Sequence, residues 1–435
     1  MARIFAICFA LLIVQCVTGA EPAAKKEAAT KKVPPFAKLT VAQPAAQQTV
    51  SGCIDVCIKA ELPDGASMPV AMLVGLGGAP WTPLAKKGDT GEWAGQLNST
   101  LVPNGPQKLI VLTDNKRANI SIDVVVSNPL QVFFGDLHSH TSYSDGTLAP
   151  AVAHDYARNT SKLDIFCLTD HLEGVSDDEW LDMRRVAFAA NEDGKFVSFP
   201  GLEWTKKWGH INIYDPKTRV WPEDPAEFYK AAADAGVVLK FNHPGDGTVT
   251  HDGLAYSEAG DKAMQLMEVR SDVEEKAFIR ALNNGWHIAP DGSDDTHSPN
   301  WGNVKTWTGI LVPGLSERNV LDALKNRRTY STLDRNCRLG FEVNRAAMGS
   351  VLEEPCSSVQ LAIHVEDPDA GDNISLIEVF EDGNAADRCE PNAAKHQWEL
   401  NRPVKPGKHY YFAKVKQADG NVIWSAPVWI TGSGQ

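Results

Sequence analysis

The sequence has too few basic residues to balance its acidic ones. Forty-two lysines and arginines stand against 55 aspartates and glutamates, which gives a formal net charge of −13 over 435 residues. Phosphate backbones and anionic membranes are bound mainly through Lys and Arg. Neither nucleic acid nor a membrane surface is therefore expected as the main partner. Apolar residues make up 43% of the chain, which is enough for a sizeable core and excludes wholesale disorder.

The sequence also lacks an apolar run of the roughly 20 residues that a membrane-spanning helix needs. Its longest run, Ile4–Val14, follows Arg3 and precedes the small residues Thr18-Gly19-Ala20. This order is typical of a secretory signal. We expect residues 1–20 to be a signal peptide, no membrane span in the mature protein, and export to the periplasm or the cell exterior.

Cysteines are few, and none has the C-x-x-C spacing of a zinc site. Cys356 and Cys389 fall in one predicted domain and could form a disulfide, whereas Cys167 lies in an apolar strand and is expected to be a buried free thiol. Disulfides are therefore not expected to be the basis of the fold. The His-Glu-x-x-His string is also absent, which disfavours a zinc peptidase of that type.

Changes in hydrophobic rhythm divide the chain into regions. Residues 21–48, rich in Ala, Lys, Pro and Gln, are predicted to be a linker. Short alternating strands predict β-sandwiches over 49–129 and 336–435. Between them, over 130–335, strands alternate with helices. That alternation predicts a parallel sheet, either open or closed into a barrel.

Two histidines follow the first strand of this central region. The apolar run Gln131–Phe134 leads into His138 and His140, whose side chains point to the same face if the strand continues. Neutral imidazole suits zinc, manganese or iron. An isolated pair of this kind is more often structural, so the rest of the chain must decide.

Further histidines and carboxylates collect near the ends of successive predicted strands. They are Asp145, His171, Glu203, His210, His243, Asp295 and His297. In α/β barrels the loops after the strands share one rim, so these side chains are expected to meet there and bind metal. Glu268, which ends another strand, is expected to support a ligand from behind.

The segments HSHTSYSDG, LTDH, GLEW, GHINIY, NHPG and SDDTH together resemble the ordered signature of the polymerase and histidinol phosphatase (PHP) superfamily. They are most similar to its exported, carbaryl-hydrolase-like members. The resemblance covers residues 130–335 and implies a distorted (β/α)7 barrel flanked by N- and C-terminal β-sandwich domains. It also implies two or three divalent ions of zinc, manganese or iron.

The resemblance further implies how the ligands are shared. His138, His140, Glu203 and Asp295 would hold one ion. Glu203, His210 and His243 would hold a second, and Asp145, His171 and His297 a third. Asp294 is an alternative to Asp295, because Asp294 completes a Gly-Ser-Asp string. We favour Asp295, because it fits the Asp-x-His pattern of the family. Glu203, Asp295 and His297 are the expected catalytic residues.

The expected activity is metal-dependent hydrolysis of a small-molecule ester. Phosphate esters are the favoured class of substrate. Closely spaced cations lower the pKa of a bound water and take up charge on the substrate oxygens. A carboxylic or carbamate ester hydrolase with the same site is the main alternative. A non-catalytic protein that binds polysaccharide or a partner is a third. The simplest alternative for Glu203 is a surface ion pair with Lys206 or Lys207.

Overall fold

The computed structural model describes residues 37–64, 66–114, 119–245 and 251–433. The expected signal peptide and the first part of the expected linker lie outside these ranges. β-Strands dominate the described residues, and the α-helices there all fall between positions 150 and 325. No helix in the described ranges is both long and apolar enough to cross a membrane.

The N-terminal region forms a β-sandwich-like unit. Its described strands are β1 (Lys38–Gln43), β2 (Thr49–Val50), β3 (Cys53–Glu61), β4 (Met72–Leu76), β5 (Thr82–Lys87), β6 (Glu92–Asn98), β7 (Gly105–Thr113) and β8 (Ile120–Val126). β5 pairs with both β4 and β6, so one sheet folds over on itself. Val56, Val74 and Val111 share its apolar core. β1 lies inside the stretch that was predicted to be a linker. Leu39 is buried and β1 pairs with β3, so this part of the stretch belongs to the N-terminal unit.

The central region contains two separate sets of strands. In chain order the strands are β9 (Gln131–Asp136), β10 (Ile165–Phe166), β11 (Val197–Ser198), β12 (Gly201–Lys206), β13 (Gly209–Tyr214), β14 (Val238–Phe241), β15 (Met264–Glu268), β16 (Ala289–Asp291), β17 (Trp307–Val312) and β18 (Thr329–Thr332). β12 to β16 form a five-stranded sheet. β9, β10, β11, β17 and β18 belong to an eleven-stranded sheet that continues into the C-terminal region.

The predicted (β/α)7 barrel is wrong. The central strands lie in two sheets, and the described residues contain six α-helices in all. β12 and β13 form a hairpin with a two-residue loop, β17 runs antiparallel to β9, and no helix separates β16 from β17. The motifs GLEW and GHINIY therefore lie on neighbouring antiparallel strands, whereas a (β/α) repeat requires a helical crossover between parallel strands.

The helices are α1 (Pro150–Asp155), α2 (Asp177–Ala190), α3 (Pro225–Ala235), α4 (Glu258–Asp261), α5 (Asp272–Asn284) and α6 (Glu317–Lys325). Capping residues explain where several of them begin and end. Ser176 and Glu179 form a reciprocal capping box at the start of α2. Asp224 caps α3 ahead of a proline at its first position, and Gly236 ends α3 in the left-handed conformation.

The C-terminal region is again all β. Its described strands are β19 (Arg338–Val343), β20 (Ala346–Ala347), β21 (Val351–Cys356), β22 (Ser358–Glu366), β23 (Ile374–Glu381), β24 (Asn384–Cys389), β25 (Lys395–Pro403), β26 (Gly407–Gln417), β27 (Val422–Ser425) and β28 (Val428–Gly432). β27 pairs with β18, so main-chain hydrogen bonds cross the boundary predicted at residue 335. Cys356 and Cys389 are both free thiols, and Cys167 is a buried free thiol as predicted.

Close packing between β17 and β18 yields a stability prediction. Gly309 pairs with Tyr330, and a Cβ on Gly309 would lie 2.1 Å from the Tyr330 ring. Tyr330 is fully buried, and its hydroxyl donates to the Cys337 carbonyl at 2.7 Å, so the ring has little room to move. We expect Gly309→Ala to lower the free energy of unfolding by about 1–3 kcal/mol, the usual effect of overpacking. Urea unfolding followed by tryptophan fluorescence measures the change.

Gly340 in β19 provides the matched control. A Cβ there meets its nearest atom at 3.7 Å, an ordinary contact. Gly340→Ala should therefore leave stability nearly unchanged. Equal unfolding midpoints for the two variants would contradict the packing argument.

Candidate metal centre

His138 and His140 are held just beyond the end of β9. Both side chains are fully buried, and their Nε2 atoms lie 3.2 Å apart. The main chain is fixed here by a hydrogen bond from the His140 N–H to the Thr296 carbonyl at 2.8 Å, and by the Trp301 indole, which donates to the His140 carbonyl at 3.0 Å. These hydrogen bonds fix the backbone that carries the two rings, and they do not depend on a bound ion.

Glu203 and Asp295 complete a first group of ligand atoms. Glu203 Oε2 lies 3.4 Å from His138 Nε2 and 3.3 Å from His140 Nε2. Asp295 Oδ1 lies 3.2 Å and 2.9 Å from the same two nitrogens. Ligands at the usual zinc distance of roughly 2.0–2.2 Å occupy a tetrahedron whose edges are about 3.3–3.6 Å. The four atoms have nearly this spacing.

The second oxygen of Glu203 faces a different group. Glu203 Oε1 lies 3.2 Å from His210 Nδ1 and 3.7 Å from His243 Nε2, and it accepts a hydrogen bond from Asn242 at 2.7 Å. Glu203 lies in the middle of β12, not at the end of a strand as the sequence pattern suggested. Its backbone pairs with Asn212 of β13 and forms an isolated bridge to His171.

A third group lies on the more exposed side of the centre. Asp145 Oδ1 is 3.2 Å from His297 Nε2, and Asp145 Oδ2 is 3.5 Å from His171 Nε2. The exposed fraction of the side chain rises from 0% for His140 to 20% for His171, 36% for His297 and 58% for Asp145. The centre therefore opens to solvent at Asp145.

Neighbouring groups fix which nitrogen each ring presents. Glu268 Oε1 lies 2.6 Å from His138 Nδ1, which leaves Nε2 for the first group. The Asp295 carbonyl lies 2.8 Å from His297 Nδ1, which leaves Nε2 for the third group. Ser144 Oγ lies 3.3 Å from His140 Nδ1. Partners of this kind orient metal-binding histidines, and the expected supporting position of Glu268 is confirmed.

The charges at the centre favour a bound cation. Burial opposes a charge on His138, but Asp295 and Glu203 outweigh it and raise its pKa to about 10. Burial likewise opposes a charge on His140, and the same two carboxylates raise its pKa to about 9. Burial alone would raise the pKa of Glu203, yet His138 and the other rings hold it well below its usual value. Without an ion the two rings therefore hold protons beside ionised carboxylates, and a divalent ion would take the place of those protons.

Two buried oxygens indicate where an ion fits. Glu203 Oε2 and Asp295 Oδ1 are inaccessible to solvent and accept no hydrogen bond within the described ranges, although imidazole nitrogens lie close to both. Unsatisfied buried carboxylate oxygens are costly, and a cation between them would satisfy both. Imidazole and carboxylate together suit zinc, manganese or iron. The residues present therefore fit a divalent ion.

All nine predicted ligands are brought together in these three groups. Of the two aspartates left open by the sequence, Asp295 lies in the first group, and Asp294 lies in none of the groups among the described residues. Asp295 adopts a φ of +58°, a conformation that is uncommon for non-glycine residues and often marks functional sites. Glu203 is fully buried, and Lys206 pairs with Glu173 and Glu223. The surface ion pair considered for Glu203 is therefore absent.

Sequence reasoning missed one buried group beneath the centre. Lys240 is fully buried in β14, and its Nζ lies 2.6 Å from Glu268 Oε1 and 3.2 Å from Asp291 Oδ1. The signal was present in the apolar run Val238-Leu239-Lys240-Phe241, because a lysine inside a buried strand requires a buried partner.

Comparison with protein family models gave no match. An uncharacterized protein of Chlamydia pneumoniae is 18% identical over 375 residues, covering 71% of this chain and 60% of the relative. One of Chlamydia muridarum (strain MoPn / Nigg) is 26% identical over 137 residues, covering 28% and 22%. The chain thus spans from about a fifth to three-fifths of the length of these relatives.

Solved structures resemble the chain only weakly. An endo-β-1,4-mannanase from Thermotoga petrophila is 14% identical with a TM-score of 0.20, covering 23% of this chain and 21% of that one. The β-glucuronidase 3 of Bacteroides uniformis is 8% identical with a TM-score of 0.19, covering 91% and 64%. These TM-scores are too low to indicate a shared fold.

The contact between Glu268 and His138 yields a prediction about ion affinity. Glu268→Gln removes the negative charge that orients and polarises the His138 ring. We expect the affinity of the first group for divalent ions to fall by about 10–100-fold, as is typical when a supporting carboxylate is lost. Competition with a chromophoric chelator measures it.

Glu274→Gln is the control for this variant. Glu274 is also buried near the start of α5, but it pairs with Arg270 and not with a histidine. Its substitution should leave ion affinity unchanged. If the two variants lose affinity equally, Glu268 has no special role.

Proposed function

We propose that this protein is a metal-dependent hydrolase that cleaves ester bonds, with phosphate esters as its substrates. The observation that supports this most directly is the orientation of Glu203. Its Oε2 faces His138 and His140, whereas its Oε1 faces His210 and His243. A carboxylate placed in this way would contribute one oxygen to each of two cations, as carboxylates do in two-metal hydrolytic sites.

The order of the ligands along the chain supports a relationship to the PHP superfamily. Each of the quoted motifs contributes at least one atom to the three groups. We propose this relationship for the site alone, because the strands do not close into a (β/α)7 barrel.

The residues of the chain have distinct parts in this proposal. Two or three divalent ions of zinc, manganese or iron would lower the pKa of a bound water and neutralise charge on the ester oxygens. Glu203 sets the spacing between the first and second groups. Asp295 and His297 lie two residues apart and connect the first group to the third. We therefore assign the catalytic role to Glu203, Asp295 and His297.

The direction of substrate entry follows from exposure. His138, His140 and Glu203 are closed off from solvent, whereas Asp145 and His297 are open to it. An ester would enter from the Asp145 side and reach the buried first group from there, and the second group is open to it at His210, whose side chain is 24% exposed. A small substrate suits this route, because the buried ligands lie behind the exposed ones.

Metal analysis and an ester panel test the activity. The purified chain is expected to contain two or three transition-metal ions and to hydrolyse p-nitrophenyl phosphate. Chelator should abolish this activity, and Zn²⁺ or Mn²⁺ should restore it. Hydrolysis of an aryl carbamate or a carboxylic ester in place of the phosphate would assign the same site to the alternative substrate class. A metal-loaded protein that hydrolyses none of these esters would contradict the proposal.

Glu203→Gln tests the shared ligand. The variant keeps the shape of the side chain but removes its charge, so one ion per chain should bind much more weakly. The turnover number should fall by about 10²–10³ or more, the range seen when one group that stabilises transition-state charge is lost. Metal content and rate are measured on the same sample.

Glu173→Gln is the matched control. Glu173 lies two residues from His171 and pairs with Lys206, but it belongs to none of the groups among the described residues. This variant should retain both metal and rate. Circular dichroism confirms that both variants fold. Full metal content and near wild-type turnover in Glu203→Gln would show that Glu203 does not bridge.

A further inference from the structure

A second cluster of carboxylates lies where the C-terminal strands meet the end of β18. Asp334 follows β18, and Asp367 and Asp372 lie in the loop between β22 and β23. Each offers a carboxylate oxygen, and the three oxygens lie within 4.8 Å of one another. Asp334 is 8% exposed and Asp367 is 2% exposed. The charges on these two residues are therefore removed from the screening of bulk water, whereas Asp372 is partly exposed.

No basic side chain balances this cluster in the part of the chain that the structure describes. None of the three aspartates forms an ion pair with lysine, arginine or histidine there. Like charges this close repel one another, more strongly when they are buried. A fold that brings three carboxylates together in this way needs a positive charge from another source, either a proton shared between carboxylates or a bound cation.

Gln417, the last residue of β26, points to what supplies that charge. The side chain is 3% exposed, and its amide Nε2 donates to Asp334 Oδ2 at 2.8 Å and also to Asp367 Oδ2. Its Oε1 is buried and accepts no hydrogen bond from the residues described, and the same is true of Asp372 Oδ1. The amide therefore reaches into the cluster while two oxygens remain without a donor.

We propose that Asp334, Asp367, Asp372 and the Gln417 amide oxygen bind a calcium ion. The two ends of an amide have nearly the same shape. Turning the Gln417 amide over would therefore bring Oε1 to the point where the carboxylates converge. The donor set is then entirely oxygen, from carboxylates and an amide, as Ca²⁺ prefers.

The same donor set argues against the ions proposed for the first centre. No histidine or cysteine belongs to this group among the described residues, so zinc has no nitrogen or sulfur ligand there. Mg²⁺ demands near-ideal octahedral geometry and gives up its waters reluctantly. Three carboxylates from two segments, together with an amide from a third, suit the larger and more flexible shell of Ca²⁺.

The ion would act as a structural cross-link. Asp334 lies two residues beyond β18, whereas Gln417 ends β26 and the other two aspartates lie after β22. One ion would thus join the segment leaving the central region to two separate parts of the C-terminal region. This role is independent of the proposed hydrolysis.

Calcium binding by the metal-stripped full chain tests the proposal. Equilibrium dialysis should show one bound Ca²⁺ per chain, with a Kd at or below about 1 mM, the upper range for extracellular calcium sites. Saturating Ca²⁺ should raise the melting temperature by on the order of 5 °C, because an ion that binds only the folded state stabilises it. No binding up to about 10 mM, ten times that range, would overturn the proposal.

Matched variants locate the ion. Asp367→Asn/Asp372→Asn should abolish both the binding and the thermal shift. Asp369→Asn, at an exposed position in the same loop, should retain both. Without Ca²⁺ the double variant should be at least as stable as the wild type, since it relieves repulsion. If the double variant does not fold, the single Asp372→Asn variant is measured in its place.

Three results separate the alternatives. Retention of Ca²⁺ by the double variant would place the ion elsewhere and overturn the proposal. Equal stabilisation by Mg²⁺ would contradict the assignment to calcium. Glu203→Gln should bind Ca²⁺ normally, so a failure of the proposed hydrolase activity leaves this result unaffected, and the reverse also holds.

Discussion

The burial of the Glu203 carboxylate is the constraint on which the centre of the molecule depends. Removing a carboxylate from water costs several kcal/mol unless positive charge replaces the lost hydration. Around Glu203 the contacts come from residues on both central sheets. His138 follows β9 in the larger sheet, whereas His210 lies in β13 of the smaller one. The contacts of one buried carboxylate therefore join the two sheets at this point.

A buried network of charged side chains around Lys240 also connects the two sheets. Burial opposes the charge on Lys240, but Asp291 and Glu268 outweigh it and raise its pKa. Glu268 contacts His138, and Asp291 accepts a hydrogen bond from Thr308 of β17 at 2.9 Å. This network joins β14, β15 and β16 to the larger sheet. Removing Lys240 would leave the buried carboxylates of Glu268 and Asp291 without the cation between them, which is far more destabilising than the loss of a surface pair.

Local sequence predicted the ligands well because each motif is short. His138 and His140 are two residues apart, and so are Asp295 and His297, so their proximity needs little tertiary information. The sheet arrangement could not be predicted in this way. That β17 pairs antiparallel with β9, across some 170 residues, depends on packing that no local pattern encodes. The alternation of strands and helices suggested a parallel sheet, and the resemblance implied that it closes into a barrel, whereas two sheets form. Glu203 was expected at a strand end for the same reason, since the hairpin of β12 and β13 was not foreseen.

The Asp334 cluster, in contrast, could not be predicted from local sequence. Its members come from segments up to 83 residues apart, as the Gln417 to Asp334 contact shows, and none lies in a recognisable motif. Their chemistry differs accordingly from that of the first centre. The histidine-rich centre opens to solvent at Asp145, as a site that exchanges substrate must. The all-oxygen cluster is almost closed and is held by loop and strand ends. β18 lies between the two sites. Its Ser331 donates to the carbonyl of Val269, the residue after Glu268. Asp334 lies three residues after Ser331. An ion that fixes Asp334 would therefore also restrain the strand that packs behind the histidine-rich centre.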